Sequence, residues 1–165
     1  MSVVESLVTL CEPFAKVYNH SKVLSIGTTY LHLASMLGAG GLAISADKDS
    51  LRLPSTGPSE VARHVASQQA LHRWVVAGLA VSVISGVMMF ASDVETFAKS
   101  LLYWSKMGGV ALLLGNGLLL QRAERALAAD PADTAAAGRL RLSAGVSLVL
   151  WFVVALLGVI VKTEA

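Results

Sequence analysis

Charge is scarce in this chain and cysteine is almost absent. Cys11 is the only cysteine in 165 residues, which excludes a disulfide framework and any cysteine-built metal site. Charged residues make up 15% and hydrophobic ones 55%, whereas soluble globular domains carry roughly 25% charge. The surface of a soluble protein of this size needs more polar groups than that. A formal net charge of +2 is too small to imply a nucleic-acid partner, and no basic-aromatic cluster suggests one. The opening stretch MSVVESLVTLCEPF has no basic start and carries Glu5 and Glu12, which argues against a signal peptide. Internal repeats, low-complexity tracts and linkers are missing too, so residues 1–165 read as one domain.

Where charge is missing says more than how much is missing. No Asp, Glu, Lys or Arg occurs in residues 23–46, 74–92, 107–121 or 142–161. A bilayer core about 30 Å thick takes about 20 helical residues, and three of the four gaps are long enough. The third reaches only about 22 Å at 1.5 Å per residue. Extending it back to Ser100 completes a span and places Lys106 inside it. The expectation is an all-α fold, a four-helix transmembrane bundle with spans at about 23–46, 71–92, 100–121 and 143–162. The bilayer is then the first partner.

Orientation follows from the basic residues. The first loop and its margins hold Lys48, Arg52, Arg63 and Arg73, and the third holds Arg122, Arg125, Arg139 and Arg141. The opposite side has Lys16, Lys22, Lys99, Lys106 and Lys162, with no arginine. The positive-inside rule then puts both long loops in the cytoplasm and both termini outside.

Residues 3–18 set Val4, Leu7, Cys11, Phe14 and Tyr18 at helical spacing, as expected of an amphipathic helix lying on the membrane surface. The first loop breaks at Pro54, Gly57 and Pro58, and Ser59 reads as the N-cap of a helix running into the second span. The short stretch SDVETF makes spans two and three antiparallel neighbours. Asp130-Pro131 with Asp133 reads as a helix stop and a capped restart, with Pro131 in the first helical turn. Small residues recur at four-residue spacing: Ala34 and Gly38, then Gly78, Ser82 and Gly86, then Ala111 and Gly115. In lipid, close backbone approach through such residues supplies packing energy.

The polar residues inside the spans carry whatever chemistry there is. His32 lies about 15 Å from Lys22 and about 22 Å from Asp47 along the helix axis, too deep to reach water, so it faces a partner inside the bundle. It reads as a ligand to haem iron, a copper ligand or a proton carrier. The bland alternative is a neutral imidazole donating to a backbone carbonyl or to Ser82 or Ser85. Lys106 either snorkels to the outer interface or meets a carboxylate or haem propionate near the depth of His32. Met36 is one turn from His32, and His with Met suits copper, although methionines are common core residues. His20, His64 and His72 all lie more than about 15 Å in depth from His32, so a bis-histidine haem across two spans is not written here. Asn116 reads as interhelical glue. No span contains a carboxylate, which disfavours a proton-coupled transporter.

Three segments carry a resemblance. YLHLASMLGAGGLAISADKDSLR, HRWVVAGLAVSVISGVMMFAS and SLLYWSKMGGVALLLGNGLLL resemble successive spans of a small bacterial four-span membrane family of unknown function, related to the CopD-like copper-resistance domain. The likeness covers most of the chain. The HemJ-type protoporphyrinogen oxidases, which bind haem and use a first-span histidine and a membrane lysine, are more distantly similar, and that comparison falls on His32 and Lys106. The resemblance implies a bacterial inner-membrane protein. Two function classes follow: a redox protein binding haem b or, less well, copper through His32, with Lys106 beside the ligand and Met36 as a weak second metal ligand; and a non-catalytic accessory subunit packing on a larger membrane complex or on a second copy of itself.

Overall fold

A computed structural model describes residues 3–52 and 57–164. They form six helices: α1 (Val3–His20), α2 (Lys22–Leu51), α3 (Pro58–Ser92), α4 (Val94–Lys99), α5 (Leu101–Ala129) and α6 (Thr134–Glu164). The chain is all-α. Where hydrocarbon replaces water, a lone helix satisfies its own backbone groups, and that favours long unbroken helices over the apolar stretches.

Helix boundaries fall where side chains can take over the orphaned amides. Ser21 separates α1 from α2 and its Oγ accepts from the Leu24 amide at 3.3 Å. Asp93 caps α4 by accepting from the Thr96 amide at 3.2 Å, and Ser100 caps α5 through the Tyr103 amide. Two expected helix starts differ in detail. α3 begins at Pro58 after Gly57, so Ser59 is inside the helix and caps nothing; proline fits the first position because its missing N–H has no intrahelical acceptor there. Before α6, Asp133 accepts from the Ala136 amide at 2.9 Å and starts the helix, while Asp130 accepts from the Ala132 amide. Pro131 lies in the turn between them, ahead of the first helical turn. Pro54 is outside the described residues.

α2 packs along α3 and α6, and α5 packs along α6. α3 and α5 touch only lightly, although the short connection between them led to the expectation of close antiparallel neighbours. A cavity lined from α2, α3, α5 and α6 lies between them. Glycine sets the α2–α3 distance: a Cβ added to Gly78 meets the Ala39 Cβ at 2.8 Å. Gly38 and Gly115, expected in the same packing role, have nothing within 4 Å of where a Cβ would stand. Gly40 lies against the Trp151 ring and Gly109 against Val154.

Burial divides the molecule in two. Val61, Val65, Ala123, Leu127, Ala136 and Leu140 form a dense apolar cluster, with Leu127 and Leu140 at 0% exposure. All six lie beyond the expected spans, and the hydrophobic effect favours their burial. Within the spans many large apolar residues face outward, among them Leu37, Ile84, Leu112 and Phe152. α1 turns Val4, Cys11, Phe14 and Tyr18 towards α3 and α4, leaves Leu7 more exposed, and ties its end to the bundle through Asn19 Nδ2, which donates to the Ser92 carbonyl at 3.2 Å.

Candidate functional site

His32 is half-buried between α2 and α3. Its Nδ1 lies 2.9 Å from the Ser82 carbonyl oxygen and 3.1 Å from Ser85 Oγ. A carbonyl can only accept, so Nδ1 carries the proton and donates to it. Ser85 Oγ hydrogen-bonds back to the carbonyls of Val81 and Ser82, and that leaves its lone pair for the imidazole. With Nδ1 protonated, the neutral ring keeps a free electron pair on Nε2. Gly86 lets the ring sit this close to α3, since a Cβ there would stand 3.3 Å from His32 Cε1.

The other candidates fall into two groups. Lys106 comes from α5, runs past Gly158 of α6, and lies within electrostatic range of His32. Met36 is half-buried one turn along α2 from His32. The remaining histidines are committed elsewhere: His64 Nε2 to Ser50 Oγ at 3.3 Å, and His72 Nε2 to the side-chain amide of Gln121 across α3 and α5. His20 ends α1. Asn116 Nδ2 donates to the Ser143 carbonyl at 2.8 Å and joins α5 to α6. Among the described residues no three His, Cys, Asp or Glu side chains are arranged to hold a metal ion.

A second polar centre lies between α2, α3, α5 and α6. The cavity there measures about 120 Å³, and neither His32 nor Lys106 lines it. Asp47, Gln68 and Glu124 face it at 3%, 4% and 4% exposure, together with Ser147 and His72. Burial pushes the Asp47 carboxyl up to about 6, with a hydrogen bond from Ser147 opposing. Burial pushes Glu124 up to about 7, and the nearby Asp47 charge adds to the effect. Both residues lie just beyond the expected spans.

Residues 13–163 match one family along almost the whole chain, a family of unknown function. The chain belongs to DUF6644. No curated protein and no solved structure matches it. For DUF6644 itself no named relative supplies a link to the CopD-like domain or to HemJ-type oxidases.

Two helices of this DUF6644 chain, Pro58–Ser92 and Thr134–Val161, are long and apolar enough to cross a membrane, which suggests a membrane protein. α2 and α5, expected as the first and third spans, do not reach that standard. Glycines, hydroxyl residues and His32 dilute α2, and Lys106 and Asn116 dilute α5. Asp47 entered the sequence reading only as the end of a charge-free run, and Glu124 was not singled out. Helical phase carries the missed signal. Ala39, Ala43, Asp47 and Ser50 share one face of α2, and Leu113, Leu120 and Glu124 share one face of α5, so both acids point where the small and apolar residues point.

Proposed function

We propose that this DUF6644 chain spans the bacterial inner membrane four times, with both termini outside, and holds a redox group at His32. One observation carries the reading. The Nδ1–H of His32 is spent on the Ser82 carbonyl, the outer-shell bond that fixes the tautomer of a ligating histidine and leaves Nε2 free to bind. Haem b suits the surroundings better than copper. Lys106 lies within range of the ring, where an ammonium favours a propionate and opposes a bare metal cation. Met36, one turn away, is the only support for copper. Haem iron would supply one-electron chemistry, and His32 Nε2 is the protein group that would hold it.

Purified protein should show a Soret band that His32→Ala removes while far-UV circular dichroism persists. No Soret band, with no copper by metal analysis, transfers the function to a second reading. In that reading the chain is a non-catalytic subunit of a larger membrane complex or a homo-oligomer. What favours it is that Ser82 and Ser85 already satisfy one imidazole nitrogen as an interhelical tie. A stoichiometric partner on gentle solubilisation supports it.

A further inference from the structure

The cavity between α2, α3, α5 and α6 leaves two buried acceptor atoms unpaired, although Ser147 donates to the Asp47 carboxyl. Asp47 Oδ2 and Gln68 Oε1 are buried with no hydrogen-bond partner. The Gln68 amide is oriented, because its Nε2 donates to the Ala46 carbonyl at 3.3 Å and so leaves Oε1 on the other side. Glu124 adds a second carboxylate within electrostatic range of Asp47. No lysine or arginine lines the cavity. Buried acceptors without donors are costly, so the missing component is a donor with positive charge.

We infer that this cavity binds a small primary ammonium compound with a short aliphatic stem. An ammonium offers three N–H donors, which matches the Asp47 carboxylate, the Gln68 carbonyl oxygen and the Glu124 carboxylate. The stem lies against Leu71, Val75, Leu113 and Trp151, which form the apolar wall. Size fits as well: a dry cavity of about 150 Å³ takes a benzene ring, so 120 Å³ suits about four or five heavy atoms. A metal ion fits less well, because the side chains present form no cluster of three ligating acids, histidines or cysteines among the described residues. The titratable groups facing the site are Asp47 of α2, His72 of α3 and Glu124 of α5, with Arg125 of α5 close to His72. α6 contributes Ser147 and Trp151, which do not titrate in the working range. Binding is strongest above the range in which the two carboxyls ionise and weakens as pH falls through it.

The test is isothermal titration calorimetry of the full chain in detergent micelles at pH 8, with n-butylammonium chloride as the probe and empty micelles as the blank. Saturable binding is expected, with tetramethylammonium and sodium at least about tenfold weaker because neither has an N–H to donate. Asp47→Asn and Glu124→Gln should each weaken butylammonium by about tenfold or more. Ala43→Leu, which fills the wall and leaves both carboxylates in place, should abolish binding. Absence of saturation, or equal binding of tetramethylammonium or sodium, overturns the inference. So does unchanged affinity in Ala43→Leu. If the charge variants fail to fold, the comparison of cations on the unaltered protein still decides.

Discussion

A carboxyl held at 3% exposure, in a cavity whose lining has no lysine or arginine, keeps its proton longer when folded than when unfolded. Asp47 rises from 3.8 to about 6 and Glu124 from 4.5 to about 7. The native state therefore binds more protons than the unfolded chain between those values, and stability falls as pH rises through them. At about 1.4 kcal/mol per unit, the loss from Asp47 alone is on the order of 2–3 kcal/mol. Thermal melts in amine-free buffer should show a higher midpoint at pH 5 than at pH 8. Asp47→Asn should flatten that slope and raise the pH 8 midpoint. Equal midpoints in both buffers would mean that solvent reaches the carboxylates. At this scale the sequence was partly legible. His32 stood out because nothing charged surrounds it, and its bond to Ser82 and Ser85 was among the readings weighed. Asp47 and Glu124 did not stand out, because depth along a helix can be counted from sequence while the facing of a residue near a helix end depends on which neighbour covers it.

Among the elements, α2 and α3 come into tight contact where Gly78 meets Ala39. Ala39 Cβ stands beside its own backbone and cannot swing away, so a methyl group at position 78 must push the helices apart. Gly78→Ala should cost about 1–3 kcal/mol by overpacking. Gly38→Ala, at a site with open space around it, should change stability by less than about 0.5 kcal/mol. Paired denaturation curves in one detergent check this, and equal effects would show that the Gly78 contact does not set the helix spacing. Spacing of small residues told the sequence reading that glycines would pack. It could not tell Gly38 from Ala39, because adjacent residues differ by 100° around the helix and the crossing angle selects between them. Helix ends were read within a few residues wherever aspartate or serine capped them, and least well beside proline, which is at home both in a first turn and in the loop before it.

For the molecule as a whole, aromatic rings mark two levels. Phe90, Phe97 and Tyr103 cluster where α3, α4 and α5 meet, with Phe90 and Tyr103 centroids 5.3 Å apart, and Trp104 Nε1 donates to the Ala98 carbonyl. Trp74 lies under the Arg73 guanidinium near the middle of α3. Sixteen residues of helix separate Trp74 from Phe90, about 24 Å, close to a hydrocarbon thickness. Cys11, the single thiol, lies on α1 beside the Phe90 level, against Ala91 and Ser92. Intact cells treated with a membrane-impermeant maleimide should label Cys11 if the termini face outward; protection until the membrane is broken reverses the orientation. Four gaps in charge led to the expectation of four spans, yet among the described residues α3 and α6 are the helices apolar enough to stand as spans by composition, since the other two trade leucine for polar and small residues.

The cluster around Leu127 and Leu140 has a thermal consequence. In the four-span arrangement proposed above this cluster is surrounded by water, so unfolding it exposes apolar surface to water and raises the heat capacity, while separating helices in lipid does neither. The two regions therefore answer temperature differently. Hydrophobic association weakens on cooling, so chilling should loosen the tips of α3, α5 and α6 while the bilayer-embedded contacts hold. A protein adapted to both solvents would come apart in the cold from its watery end first.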